Sequence, residues 1–177
     1  MSLILNNRLI SQENTKIKIE TAGFFDKDDK KFPDATVLTR DNLGQVVITD
    51  EGVKMWCNQA FFYQDKNYIE AYGDVILIQG DTINLKSNYL EYNGNSKIAY
   101  AKGNVVLKEP SSILYTESLY FDRNIQEAYY NQSGKLIRHP SDTIISDLGR
   151  YYVDLKQYRF KENINLKTPK QNIYSKK

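Results

Sequence analysis

The chain is poor in the residues that usually carry chemistry or cross-links: one cysteine, one histidine and one tryptophan in 177 residues. With Cys57 alone there is no intramolecular disulfide, so packing must hold the fold. The missing bridges leave the compartment open, because exported proteins also fold without them. No run of about 18 apolar residues occurs, so no membrane-spanning helix is written into the chain. The apolar stretch Leu3-Ile4-Leu5 is too short for a signal-peptide core, and the opening Met-Ser-Leu has the look of an expression scar. Charge of one sign is also missing: 24 basic and 22 acidic residues give a net charge of +2. A nucleic-acid binder would show a basic face, so no nucleic-acid partner is expected.

Catalytic and metal-binding patterns are equally scarce. His139 precedes Pro140 in a polar stretch and reads as a surface residue. Histidine and cysteine lie far apart with no third group to complete a nucleophilic pair. Zinc and calcium ligand spacings are missing, so no metal or cofactor is expected. The carboxylates Asp28 and Asp29 sit among lysines in a mixed-charge run, Asp26–Lys31, which reads as a solvated loop. An enzyme, for example a carbohydrate lyase on a β-helix, would need acids or bases clustered on one face, and none recur at matched positions.

What the chain has in quantity is aromatic and β-favouring residues, with 14 tyrosines and 7 phenylalanines against 4 prolines. It also repeats itself. A glycine, a polar residue and an aliphatic one recur as Gly44-Gln45-Val46, Gly73-Asp74-Val75 and Gly103-Asn104-Val105, at steps of 29 and 30. Two periods on, 59 residues later, stands Glu162-Asn163-Ile164. The copy between them falls near Asn131–Leu136, where Gly134 arrives about two residues late, which predicts a bulge in that rung. A second element keeps the same beat: Cys57-Asn58, Ser87-Asn88, Thr116-Glu117 and Ser146-Asp147. Matched columns flank it, namely Met55, Leu85, Leu114 and Ile144 before, Ala60, Leu90, Leu119 and Gly149 after, then Phe62, Tyr92, Phe121 and Tyr151. Repeats of this length signal stacked supersecondary units.

Residues two apart share a face of a strand. Val46, Val75, Val105 and Ile164 therefore share a face with Ile48, Leu77, Leu107 and Leu166, all aliphatic, while Thr49, Ile78, Lys108 and Lys167 lie opposite. The first face is the interior. In the second element the apolar parity changes between Ser87 and Asn88, as between Cys57 and Asn58. A strand can keep one face inward through such a change only with a bulge or corner. Asn and Asp tolerate unusual backbone angles, which places the special conformation at Asn58, Asn88 and Asp147. The small residue beside them accounts for Cys57, a buried small hydrophobe rather than a reactive thiol. A corner every 30 residues stacks strands in register around a shared apolar interior. The expected architecture is all-β and rolled, built of antiparallel 30-residue units with open edges: a jelly roll, a sandwich with bent strands, or a β-solenoid.

The repeated Gly-[Asn/Asp]-Val, "LKSNYLEY", "LYFDRNIQEAYY" and "GRYYVD" resemble the organic-solvent-tolerance (OstA-like, LptA-like) family of periplasmic lipopolysaccharide transport. The stretch "EGVKMWCNQAFFYQDKNYIEAYGDVILIQGD" resembles its Bacteroidetes branch, and the likeness runs from about Ala35 to Leu166. The resemblance implies a twisted jelly roll with an apolar interior, no catalysis, a periplasmic location and lipid A acyl chains held inside. It also implies edge-strand pairing with other jelly-roll transport components or end to end between copies. Two regions are expected: an N-terminal segment, 1–34, with a first strand near Ile17–Ile19 and a loop, and the repeats, 35–177. Ser175 opens a rung as Thr116 does, so the repeats are expected to be a fragment of a longer array. The lipid-lining candidates are Val75, Leu77, Ile83, Leu85, Leu90, Val105, Leu107, Leu114 and Leu119. The candidates for pairing lipid phosphates at a rim are Lys102, Lys108 and Lys135. The rival expectation is a structural β-repeat module of a surface or adhesin-like protein, with a filled core and no lipid, which demands the same aliphatic columns.

Overall fold

The computed structural model describes residues 16–28, 30–81, 83–138 and 141–176, so His139, Pro140 and Asp29 lie outside the described residues, as do positions 1–15. Seventeen strands follow one another: β1 (Lys18–Thr21), β2 (Phe24–Asp26), β3 (Thr36–Thr39), β4 (Val46–Asp50), β5 (Val53–Cys57), β6 (Gln59–Tyr63), β7 (Tyr68–Gln79), β8 (Ile83–Asn93), β9 (Ile98–Lys108), β10 (Ser112–Asp122), β11 (Glu127–Tyr130), β12 (Gly134–Arg138), β13 (Asp142–Ser146), β14 (Leu148–Tyr152), β15 (Gln157–Lys161), β16 (Ile164–Lys167) and β17 (Asn172–Ser175). Among the described residues the only helical turn is a short 3-10 segment, Gln64–Lys66. Every pairing is antiparallel and all seventeen strands belong to one sheet. The all-β rolled architecture expected from the repeat is therefore the architecture found.

The sheet is folded along a crease into two wings. The first wing runs β1, β4, β5, β7, β8, β9, β10, β12, β13, β16, β17. The second runs β2, β3, β6, β7, β8, β9, β10, β11, β14, β15. Strands β7 to β10 are 11 or 12 residues long and cross the crease, serving both wings. Side chains from the two inner faces form a single buried cluster, with Leu77 and Leu107 from the first wing meeting Leu90 and Phe121 from the second.

The crease is built from two-to-one bulges. The β7–β8 register slips between Tyr72 and Val75, so Gly73-Asp74 face the single residue Asn88. On β9, Gly103-Asn104 face Asn88 on one side and Glu117 on the other. The extra residues have left-handed backbone: φ is 74° at Gly73, 47° at Asp74, 79° at Gly103 and 50° at Asn104. This corrects the expectation that the unusual angles sit at Asn58, Asn88 and Asp147. Those residues lie opposite the bulge, and their side chains cover it. A Cβ on Gly103 would meet Asn88 Nδ2 at 3.0 Å, and one on Gly73 would meet Asn58 Nδ2 at 2.9 Å. Glycine is demanded there twice, by φ and by the amide lying over it. The polar member then bonds across the crease. Asn58 Nδ2 donates to Asp74 Oδ2 at 2.9 Å, and with acid and amide exchanged Asn163 Nδ2 donates to Asp147 Oδ2 at 2.6 Å.

The irregular rung also differs from expectation. Gly134 does not continue a bulged strand: the chain leaves the sheet between Tyr130 and Gly134, so this rung is split into β11 and β12. Ser133 is left-handed, with φ 61°, and its N–H donates to the carbonyl of Asp147 at 3.0 Å. At the ends, β1 and β2 have one partner strand each among the described residues, as do β15 and β17. The C-terminal edge of the first wing among the described residues is therefore β17, since β16 is paired on both sides.

Candidate functional site

The nine lipid-lining candidates all point inward, and none is more than 2% exposed. They fill the middle of the roll against one another. An enclosed void touching this region, between Ile48, Met55, Leu77 and Tyr92, measures about 10 Å³, too little for more than one water, while Val75 and Val105 also border open depressions beside the crease. Space opens instead towards the C-terminal end. There a cleft of about 460 Å³ lies between the wings, walled by Leu136 and Ile144 from the first and by Tyr151, Val153, Tyr158 and Phe160 from the second. None of the nine candidates lines it. Beyond it the inner column runs out into solvent: Ile164 and Leu166 are half-buried and Ile173, paired with Leu166, is 46% exposed.

Aromatic rings make one wall of the cleft, with Tyr151 stacked on Tyr158 at 4.2 Å and Phe160 parallel to Tyr158 at 5.9 Å. Its polar corner is Glu109, which is buried. The carboxylate accepts from Ser112 Oγ at 2.9 Å and from Tyr158 Oη at 3.0 Å. Burial pushes the Tyr158 hydroxyl above its ordinary value, so it remains a donor. Arg138 and Lys156 stand at the margin, Arg138 paired with Asp142 at 2.7 Å. Lys102, Lys108 and Lys135 stand elsewhere. All three are exposed and alternate with inward residues, so they occupy the outward face and do not line the cleft.

A second feature closes the roll opposite the crease. Asp50, at the tip of β4, is 4% exposed and meets the turns of the second wing. It pairs with Lys97 at 2.9 Å and with Arg123 at 3.3 Å, and accepts from the Tyr92 hydroxyl. Arg123 Nε also donates to Gln79 Oε1 at 2.9 Å, and Gln79 Nε2 donates to Gln126 at 2.9 Å. Burial with every group partnered makes this a clasp between wing tips, because removing one partner would strand a buried charge. Sequence reading missed both clasp and cleft. Asp50, Lys97 and Arg123 look like ordinary turn charges until the wings meet. Leu136, Ile144 and Tyr151 share the beat of the core columns and differ only in having fewer rungs above them.

Cys57 is fully buried at the crease and opposes Val46, as its column predicts. Desolvation pushes its thiol up from 9.0 to about 12. Native protein at about pH 8 is expected to take up no thiol reagent while urea-unfolded protein labels fully. The shift also sets an alkaline limit. Below pH 9.0 both folded and unfolded chains keep the proton and stability is whole; between pH 9.0 and about 12 only the unfolded chain ionises, so stability falls across that window. Cys57→Ser should lose less stability over the same range, read as the urea midpoint against pH.

Among the described residues no helix is long and apolar enough to cross a membrane, and no cluster of three or more histidine, cysteine or carboxylate side chains is placed to hold a metal ion. In comparisons with known proteins, no curated protein matches. Among solved structures, the chain is similar to LptH from Pseudomonas aeruginosa, described as the LptA-homologous periplasmic component of a conserved lipopolysaccharide transport device. That likeness has 16% identity and a TM-score of 0.37, covering 88% of this chain and 96% of that one. The family of OstA-like proteins matches residues 14–176, the whole folded sheet with its crease and cleft, and the chain belongs to that family.

Proposed function

We propose that this protein is a non-enzymatic periplasmic carrier module that holds lipopolysaccharide, or a related lipid, by its acyl chains between the two wings on the way to the outer membrane. The observation that carries the reading is the cleft beside Leu136, Tyr151 and Phe160, which continues the aliphatic interior and opens at the C-terminal end. An acyl chain entering there gains about 0.8 kcal/mol per buried methylene, so no catalytic group is needed to hold it. Arg138 and Lys156 at the margin suit lipid phosphates better than Lys102, Lys108 and Lys135, which face away from it. Among the described residues the end strands β1, β2, β15 and β17 each have one partner only, which suits partner jelly rolls that continue the sheet.

The rival reading is a structural β-repeat module. The filled middle of the roll favours it, since nine interior side chains leave no room for a chain unless the wings part. Organic extraction of purified protein followed by mass spectrometry separates the two. The carrier reading expects a multiply acylated lipid in the parent and its loss in Val153→Trp, which fills the cleft. Parent protein free of lipid, and unable to bind lipopolysaccharide added in solution, would leave the structural reading standing.

A further inference from the structure

The outward face of the second wing carries a row of side chains that the lipid reading does not use. Read straight across the strands by register, and starting inside Phe61 of β6, it runs Glu70, Glu91, Tyr100, Tyr120, Tyr129, Arg150, Arg159. Each alternates with buried neighbours, or in the case of Arg159 with the half-buried Tyr158 and Phe160, so all seven project from the same side of the sheet. Two features of the row run against the interest of a lone chain. Glu70 lies directly opposite Glu91, and Arg150 directly opposite Arg159. Like charges facing each other across adjacent strands destabilise a sheet. Neither glutamate has a cation within salt-bridge distance among the described residues. Their carboxylates take only tyrosine hydroxyls, Tyr72 onto Glu70 at 3.1 Å and Tyr89 onto Glu91 at 2.7 Å. Among the described residues Arg159 has no carboxylate partner and lies over the Tyr152 ring at 5.0 Å, while Arg150 has Glu127.

The row is also a charge palindrome. Counted from Tyr120 outwards, tyrosine meets tyrosine, Glu91 answers Arg150, and Glu70 answers Arg159. We propose that this face is the interface for a second copy of the same chain, packed sheet on sheet about a two-fold axis parallel to the strands and passing Tyr120. That rotation reverses the row, placing Glu70 against the partner's Arg159 and Glu91 against the partner's Arg150. A two-fold axis along the row instead would set acid on acid, so charge selects one of the two axes that bring the faces together. Twist does not oppose it, because rotation about a strand carries a regularly twisted sheet onto a parallel copy of itself. Such an interface is isologous, and each pair of like charges faces counter-charges in the other copy, although Arg150 is already paired with Glu127 in its own chain. At the centre Tyr120 is stacked on Tyr129, with centroids 4.9 Å apart, and tilted against Tyr100 at 4.5 Å, and the three rings offer the tyrosine surface common at the middle of protein interfaces. This pairing lies on a sheet face and is separate from any strand addition at the ends.

Sedimentation equilibrium of the full chain tests it. The parent is expected to form dimers, weakened by raising salt to about 1 M, where screening acts within ~3 Å. Glu70→Arg and Arg159→Glu, each alone, set like charges against each other twice per dimer and should raise the dimer dissociation constant by about tenfold or more. Mixing the two variants should restore association as a one-to-one heterodimer, and so should the double variant in one chain. Glu70 lies on β7, covered by strands on both sides, so its effect reports the face and not an end. Urea midpoints control for folding. A parent that stays monomeric to millimolar concentration overturns the proposal, as do variants that associate like the parent or variants whose mixture does not recover.

Discussion

Leu107→Asp is expected to cost several kcal/mol, roughly 3–5, and to lower the urea midpoint severely, while Lys108→Asp one residue on stays within about 0.5 kcal/mol of the parent. Leu107 is 2% exposed and faces Leu85 on one side and Leu114 on the other, so the new carboxylate would enter the aliphatic cluster with no cation or donor to meet it. Burying an unpartnered charge forces either its protonation or local opening of the sheet, and both draw on the same small reserve of stability. Lys108 points out from the same strand and is exposed. Equal midpoints for the two variants would mean that inner and outer faces have been exchanged.

That contrast rests on something the sequence makes plain. Alternation along each rung, repeated at a step of 29 or 30, separates Leu107 from Lys108 without any structure, and the parity change at Ser87-Asn88 locates the crease to within a residue. The choice of which strand bends abnormally was not legible. Asn58 and Asn88 are good left-handed residues in general, yet here the glycine-led pair of the neighbouring strand takes the positive φ and the asparagine spans the gap. Only the pairing of the two strands, with two residues facing one, decides between them. The covering of β16 by β17 was hidden for a similar reason, since Asn172–Ser175 lacks the glycine-led signal that marks the other rungs. The cleft is a long-range property as well. Whether Leu136 or Leu107 borders open space depends on how many rungs lie beyond it, and the two residues look alike in sequence.

The split rung gives the second large effect, because it solves the crease with the sizes reversed. In regular rungs a small inner residue faces a large one across the strands: Ala71 against Leu90, and Ala101 against Leu119. In the split rung the facing pair is Tyr130 and Gly149. The Tyr130 ring is buried and lies over both Gly134 and Gly149, where added Cβ atoms would come within 2.4 and 2.3 Å of it. Its hydroxyl and that of Ser146 are hydrogen-bonded at 2.7 Å. The glycine that looks out of place in a column of Ala60, Leu90 and Leu119 is thus the space its neighbour needs. Tyr130→Ala should cost about 3–5 kcal/mol through the cavity it leaves. Gly149→Leu should cost about 1–3 kcal/mol or more by overpacking against the ring. Together they rebuild the alanine–leucine pair of the regular rungs, so the double variant should be more stable than the sum of the single losses allows, by about 1–3 kcal/mol of coupling in urea denaturation. Strict additivity of the two losses would mean that the ring and the glycine do not share this space.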